Sequence, residues 1–285
     1  MRIFALGGAG KICRESVLDL VRFGTFDQLT IGDVHLDAAK EAAEWLNHPK
    51  VDYTLIDVKD KEASIALLSE YDPKLPGRTV FENGEFIQVP PFARPLEIEL
   101  PQPYGKSIQY IIPHSETFTL AKYLENKGVE LIEVRGTWPK ENMELIRALY
   151  NYGFLNNQMI SLNGFEFGIM EAIGEYLQHS AKGKTTELFG YSLHIEVEGI
   201  KEGRLVRQTL THTHPSSDGT VPGWEGLRAN TRNVGIPMSI AAQLILQGKY
   251  TGSGALYPEF VFNPAIFFEE LAKREIYIHI IEETL

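Results

Sequence analysis

The feature that most constrains the fold is a glycine-rich turn near the start of the chain. Residues 3–6 form a short apolar run typical of a buried strand, and residues 7–10 follow it as the turn. In residues 14–23 the apolar positions then recur at helical spacing. A strand, a glycine turn and a helix in this order predict a βαβ unit, in which the backbone N–H groups at the helix N-terminus can bind a phosphate group.

The turn matches a dinucleotide-binding pattern. Residues 8–13 read G-x-G-x-x-C, so the first two glycines are present and Cys13, a small residue, stands where Gly or Ala is usual. Bare backbone at the glycines would let a pyrophosphate approach closely. The alternative is a turn that only closes the βαβ unit. The cofactor contacts that we predict here are Gly8, Ala9, Gly10, Lys11 and Ile12.

Two acids end the next two predicted strands. Asp33 follows the strand at residues 29–32, at about the 20-residue spacing expected of an acid that binds the cofactor ribose. Its carboxylate would repel a 2′-phosphate, and residues 34–36 contain no arginine, so NAD is favoured over NADP. Asp57 follows the strand at residues 53–56, and contact with the adenine and simple surface exposure are equally compatible with it. Asp33 too could be only a solvated acid.

Composition excludes several partners. The formal charge of −11 and the absence of a basic stripe disfavour nucleic acid as a ligand. The single cysteine rules out an internal disulfide and favours a reducing compartment, so we expect a cytoplasmic protein. The start of the chain lacks the long apolar centre of a signal peptide, and no apolar helical run approaches the roughly 20 residues of a membrane span.

The alternation of strands and helices, which extends to a predicted helix at residues 62–68, stops at a segment rich in Pro and Gly, residues 71–77. Asn83 and Gly84 then predict a hairpin turn, and further strands and helices predict a mixed unit. The fold class is therefore α/β: a shortened Rossmann-type parallel sheet plus a second mixed α/β domain with a largely antiparallel sheet. We predict a dinucleotide-binding domain at 1–72, a substrate and dimerisation domain at 73–225, and a helical segment at 226–285 that returns toward the first domain.

Two further strands and two further helices complete the predicted secondary structure. Residues 131–135 are expected to form one strand, and a helix is expected near residues 166–178. Pro237 is expected in the first turn of a helix over residues 238–247, where proline is tolerated. A last strand is expected at residues 276–280.

Both ends of the chain resemble the saccharopine dehydrogenase-like family, a group that includes lysine dehydrogenases. Residues 7–12, 29–33 and 53–58 are similar to the cofactor domain of that family. The resemblance continues, more loosely in the middle of the chain, in residues 113–116, 135–136, 235–244, 252–254, 257–259 and 268–274.

This resemblance implies an NAD-dependent oxidoreductase that transfers a hydride at a carbon–nitrogen bond. The implied substrate is a small amino-acid-like or imine-derived molecule, and the implied assembly is a homodimer through the second domain. In the family, further strands carry a proline-containing loop against the nicotinamide, whereas this chain passes from Asp72 almost directly into the Pro/Gly-rich segment. The strands are deleted, or they belong to a stretch that this sequence omits, or residues 276–280 complete a shortened sheet. A non-catalytic NAD-binding or assembly protein derived from the family is the alternative.

Three residues of the second domain are the candidates for catalysis. Arg135 matches an arginine in the family's turn and could hold a substrate carboxylate in a bidentate manner, or it could simply pair with Glu133. His114 could exchange protons near neutral pH, or it could be a hydrogen-bonded loop histidine. Glu116 completes the set, although an acid at a helix N-terminus also stabilises the helix dipole.

A pair of histidines raises the question of a metal. His212 and His214 lie on one face of a predicted strand, and Asp218 could add a third ligand. However, H-x-H is a pattern of low specificity, and the ligand set is incomplete. We therefore predict no metal site.

Overall fold

The structure, a computed structural model, describes residues 2–56, 78–156, 158–180, 190–214, 219–225, 228–253 and 256–285. Asp57, Asp218 and the predicted helix at residues 62–68 lie outside these described residues. The chain divides into a first unit, Met1–Lys74 with Phe189–Leu285, and a second unit, Leu75–Leu188. The α/β class is confirmed, because one parallel sheet and several antiparallel sheets are present.

The first unit begins with a parallel sheet of order β1-β2-β3. Two helices pack against this sheet, and their apolar stripes are buried with the central strand. The predicted alternation of strand and helix is therefore confirmed over residues 2–55. These elements are β1 (Arg2–Leu6), α1 (Lys11–Phe23), β2 (Gln28–Asp33), α2 (Leu36–Leu46) and β3 (Val51–Leu55).

The second unit opens with the predicted hairpin. Asn83 and Gly84 have φ values of 52° and 88°, the left-handed conformation that a tight two-residue hairpin turn requires. This turn joins β4 (Thr79–Glu82) to β5 (Glu85–Gln88) in an antiparallel pair.

The remaining strands of the second unit are also antiparallel. The single strand predicted at residues 131–135 was wrong, since β8 pairs with β4 and β9 pairs with β7 in a different sheet. The unit contains β6 (Leu96–Leu100), β7 (Gly105–Ile111), α3 (Glu116–Tyr123), β8 (Leu131–Ile132), β9 (Arg135–Gly136), α4 (Lys140–Asn151), β10 (Met159–Leu162), β11 (Phe165–Gly168) and α5 (Ile169–Ser180).

The helix predicted from residue 166 begins later than expected, at Ile169. Its first predicted residues instead form β11, which pairs with β10 across a second Asn-Gly turn. Asn163 and Gly164 have φ values of 53° and 84°, so the same turn chemistry operates here. The Asn-Gly pair in the sequence indicates this turn, but the helical spacing of the following residues led to the prediction of a helix.

The first unit resumes with an antiparallel sheet of order β12-β13-β14, built from β12 (Tyr191–Lys201), β13 (Arg204–His214) and β14 (His279–Thr284). The last strand thus starts at residue 279 and pairs with β13. It does not complete the parallel sheet, which has three strands within the described part of the chain. That possibility is therefore wrong.

The longest helix also differs from the prediction. Pro237 lies inside α6 (Arg228–Leu246) and not in its first turn. An interior proline removes one helical hydrogen bond, but α6 buries Ile236, Ile240 and Leu244, and this burial offsets the loss. Two short helices, α7 (Pro258–Val261) and α8 (Pro264–Ala272), follow. None of the described helices combines the length and the apolar character that a membrane span requires.

Candidate cofactor and catalytic site

The glycine turn is held against the sheet by its own backbone. Gly7 has a φ of +66°, and its N–H donates to the Gly32 carbonyl at 2.7 Å. The N–H of Gly10 donates to the Gly7 carbonyl at 2.9 Å. Gly10 is the N-cap of α1 and makes no side-chain capping bond. The first turn of a helix leaves N–H groups without intrahelical acceptors, and here they adjoin bare glycine backbone.

Gly8 is required by close packing. A Cβ at Gly8 would lie 3.0 Å from both the Ala5 carbonyl oxygen and the Ile31 Cγ2, tighter than nearly all real contacts. A Cβ at Gly10 would lie 3.2 Å from the Gly7 carbonyl oxygen. Side chains at these positions would force their neighbours to shift, so the backbone of the turn is bare. The geometry therefore fits a pyrophosphate cradle.

The other turn residues differ in exposure. Ala9 packs against the core of the parallel sheet, whereas Lys11 and Ile12 are exposed on the first turn of α1. A lysine at this end places a positive charge beside the N–H donors, which favours an anion. The cofactor roles of these residues stay predictions.

Cys13 occupies the position where the pattern expects a small residue. Its thiol is half-buried, and its Sγ lies 3.9 Å from the Leu6 carbonyl oxygen. Burial, and then the negative charge of Asp33, raise the pKa of the Cys13 thiol. A neutral thiol of this size fills the space between helix and strand without adding charge to the turn.

Asp33 ends β2 at the same edge of the sheet as the turn. Its Oδ1 accepts a hydrogen bond from the His35 N–H at 3.1 Å, and the side chain is half-buried. This bond orients the carboxylate, which can accept further hydrogen bonds through its remaining lone pairs. Asp33 can therefore receive ribose hydroxyls, and this role stays a prediction.

His114 and Glu116 contact each other where a loop enters α3. The His114 Nδ1 is hydrogen-bonded to Glu116 Oε2, which also accepts from the Ser115 hydroxyl at 3.2 Å. The His114 and Glu116 side chains are 48% and 46% exposed, so a ligand can reach them. With Nδ1–H donated to the carboxylate, Nε2 is the ring nitrogen left to exchange a proton.

Arg135 pairs with Glu133, which was the alternative to binding a substrate carboxylate. Its Nε donates to Glu133 Oε1 at 2.5 Å, and its Nη1 donates to the Arg94 carbonyl at 2.5 Å. In the β7–β9 ladder Arg135 is opposite Ile111, three residues before His114. The strand pairing thus places both candidates at the end of β7. The carboxylate clamp stays a prediction.

The two histidines of β13 form a buried cluster. The Nε2 atoms of His212 and His214 are 3.1 Å apart, and His214 Nε2 also contacts Asn233 Oδ1 of α6. The contribution of Asn233 was not predicted, since it depends on a contact between distant segments. In the part of the chain that the structure describes, no group of three His, Cys, Asp or Glu side chains could hold a metal ion.

A buried polar network that the sequence analysis missed holds α1 against the C-terminal segment. Arg274 donates from Nε to Asp19 Oδ1 at 2.7 Å and from Nη2 to Gln243 Oε1 at 3.1 Å. Gln243 in turn donates to Asp19 Oδ2 at 3.0 Å. Asp19 interrupts the buried stripe of α1, a sign in the sequence that it has a buried partner. This network fixes the helix that carries the glycine turn.

The comparison with protein families gives one match. Residues 73–276, more than half of the chain, match the model of the saccharopine dehydrogenase C-terminal domain. The match includes His114, Glu116 and Arg135, and the glycine turn precedes it. No curated protein matches the chain.

Proposed function

The chain belongs to the saccharopine dehydrogenase-like family, and from this we propose that it is an NAD-dependent oxidoreductase. The proposed reaction is hydride transfer at a carbon–nitrogen bond of an amino acid or imine-derived substrate. One observation carries the proposal: a closely packed glycine turn opens α1, and Asp33 stands at the end of the adjacent strand.

The proposed roles of the cofactor residues follow from this geometry. The backbone of Gly8, Gly10 and the first turn of α1 would bind the pyrophosphate, and the Asp33 carboxylate would accept hydrogen bonds from the ribose. NAD, when bound, accepts or supplies the hydride. A 2′-phosphate would be repelled by Asp33, which favours NAD over NADP.

The proposed roles in catalysis concern a proton and a carboxylate. Oxidation of an amine to an imine removes a hydride from carbon and a proton from nitrogen, so a base is required. His114 is proposed as this base, with Glu116 holding its Nδ1 so that Nε2 takes the proton. Arg135 is proposed to bind the substrate carboxylate, for which it would exchange its contact with Glu133.

One observation favours a second candidate, a non-catalytic NAD-binding or assembly protein of the same family. The parallel sheet has three strands within the described residues, and the last strand of the chain pairs with β13 instead of extending it. A fold that binds a whole dinucleotide commonly uses six strands. A shortened sheet would still bind the adenosine half.

Calorimetry with NAD, NADP and ADP-ribose separates the two candidates. The oxidoreductase requires NAD to bind more tightly than ADP-ribose, because the nicotinamide must be held for hydride transfer. Equal affinity for NAD and ADP-ribose favours the non-catalytic protein. If none of the three ligands binds, both candidates are rejected.

The same measurement on Asp33→Ala tests the ribose contact. We expect NAD binding to weaken by about 1–3 kcal/mol, the usual loss for a hydrogen bond to a charged group. Asp37→Ala, which removes an exposed acid from the first turn of α2, is the matched control and should leave the affinity unchanged. Unchanged affinity in Asp33→Ala removes Asp33 from the site.

A further inference from the structure

The end of β13 holds two buried imidazoles that the proposed function does not use. His212 is 4% exposed and His214 is 0% exposed. They are two residues apart on a strand and share a face, which brings their Nε2 atoms within 3.1 Å. At that distance one nitrogen must donate a proton and the other must accept it.

The surrounding hydrogen bonds decide which nitrogen donates. The His212 Nδ1 lies 2.8 Å from the Tyr277 carbonyl oxygen, which can only accept, so Nδ1 carries the proton of a neutral His212. His212 Nε2 is then an acceptor, and the His214 Nε2–H is the donor. Asn233 Oδ1, another acceptor, contacts the same Nε2–H. Both rings are therefore neutral, each in a fixed tautomer.

An added proton has no place in this arrangement. The His214 Nδ1 is buried and has no hydrogen-bond partner among the described residues, so an N–H formed there would lack an acceptor. A proton on His212 Nε2 would point at the His214 Nε2–H. A proton on His212 therefore breaks the contact between the two rings, whereas a proton on His214 leaves a buried, charged N–H without an acceptor.

Two groups near the pair, Arg232 and His279, also oppose a positive charge. Arg232 faces it from α6 and His279 from β14, while the Tyr191 ring of β12 and the Trp224 ring lie 5.9 Å and 4.5 Å from the His214 ring. Burial lowers the pKa of His214 to about 3; the hydrogen bond to Asn233 acts in the opposite direction, and His212 and Arg232 add smaller lowering effects. Burial likewise lowers the pKa of His212, and His279 adds to this effect.

We infer that the His212–His214 pair is a proton-sensitive contact that holds β13 and the Tyr277 segment to α6 through Asn233 and is destabilised when either ring is protonated. Two residues beyond Asn233, α6 is also bonded to α1. There the Ser16 hydroxyl donates to the Gly235 carbonyl at 2.8 Å. This inference does not depend on NAD binding.

The direction of the pH dependence follows from the neutral folded state. Each ring binds a proton less readily when folded than at its ordinary pKa of 6.5 in the unfolded chain. The stabilisation is therefore complete above pH 6.5 and is lost as the pH falls from 6.5 toward about 3. In that window His214 raises the unfolding equilibrium constant by about tenfold per pH unit, and His212, whose pKa is also lowered, adds to the slope just below pH 6.5.

Trp224 is a local reporter because its ring contacts His214. The chain has three tryptophans, and Trp45 and Trp138 are 49% and 62% exposed, so Trp45→Phe/Trp138→Phe should fold normally. In that background, urea unfolding followed by Trp224 fluorescence from pH 7.5 to 5 should show the steep pH dependence. His212→Gln/His214→Gln should flatten it, whereas His35→Gln, which removes an exposed histidine, should not. Identical slopes in all three proteins would overturn the inference.

A measurement on the unaltered chain covers the case in which the double variant does not fold. In ¹⁵N-histidine NMR at pH 7, His212 should carry its proton on Nδ1 and His214 on Nε2. Both rings should stay neutral down to the pH at which the folded signals disappear. Titration of either ring near pH 6.5 while the chain remains folded contradicts the inference.

Discussion

The two units treat charged side chains differently. The first unit buries several of them in specific pairs and stacks, whereas the described part of the second unit buries polar but no charged side chains and keeps His114 and Glu116 about half-exposed. In the first unit the charged side chains hold packed helices together. In the second unit they remain accessible to a ligand. The buried charged residues of the first unit are Glu15, Asp19, Arg232 and Arg274, and the buried polar residues of the second are Thr79, Gln109 and Thr117.

The largest effect is expected from Arg274→Met. The Arg274 and Asp19 side chains are 2% and 4% exposed, so removing the guanidinium leaves a buried carboxylate without its cation. The free energy of unfolding should fall by about 3–5 kcal/mol, the usual result of breaking a buried pair. Denaturant unfolding of the first unit, followed by circular dichroism, measures it.

Two variants sharpen this test. Lys201→Met breaks an exposed pair with Glu282 in the same unit and should change stability far less. Asp19→Leu combined with Arg274→Met should recover much of the loss, because apolar residues often replace a buried pair without penalty. If Arg274→Met lowers the free energy of unfolding no more than Lys201→Met does, the buried charged pairs of the first unit do not stabilise it more than exposed pairs.

A smaller effect, opposite in sign between the units, is expected from two helical glycines. A Cβ at Gly235 of α6 would lie 2.6 Å from the Ile12 carbonyl oxygen of α1, whereas a Cβ at Gly174 of α5 meets nothing within 4 Å. Gly235→Ala should destabilise by about 1–3 kcal/mol, as overpacking does. Gly174→Ala should stabilise by about 0.5–1 kcal/mol through helix propensity alone.

Thermal and denaturant unfolding of both alanine variants measure these changes. Equal stabilisation by the two substitutions would mean that α1 and α6 tolerate separation, and that their close approach is not needed. The pair is matched, since each glycine lies in the interior of a helix and neither has a positive φ.

The same contrast explains what the sequence could predict. The turn at Gly7, the strand ending at Asp33 and the Asn83-Gly84 hairpin depend on neighbouring residues, and local chemistry identifies them. Pro237 was misplaced because a long-range contact keeps α6 helical through it. The pairing of Asp19 with Arg274 joins residues that are 255 positions apart, which no local pattern records.

The His114–Glu116 contact was only half predictable. Both residues were named, but as separate candidates, and their hydrogen bond depends on how the loop turns into α3. For Arg135 the sequence left two roles open, and the observed pairing is with Glu133, in the short link between β8 and β9. Sequence patterns therefore identified these residues, whereas their hydrogen-bond partners depend on how the chain packs.

The smallest effect on stability is expected from His114→Gln. The side chain is 48% exposed, so the free energy of unfolding should change by no more than about 0.5 kcal/mol. If His114 carries the proton, NAD reduction by an amino-acid substrate such as saccharopine or lysine should nevertheless slow by about 10²–10⁴-fold. Its dependence on pH should also lose the limb that a histidine contributes. Turnover assayed across pH, beside denaturant unfolding, gives both quantities.

His179→Gln is the matched control, because His179 is an exposed histidine of the same unit that also contacts a glutamate, Glu175, at 2.6 Å. Both histidines are held by a glutamate, His114 through Nδ1 and His179 through Nε2, so the two variants test whether the location of the pair matters. Normal turnover in His179→Gln together with slow turnover in His114→Gln assigns the proton to the end of β7. Equal turnover in both variants would remove His114 from the reaction and leave the second unit without its proposed base.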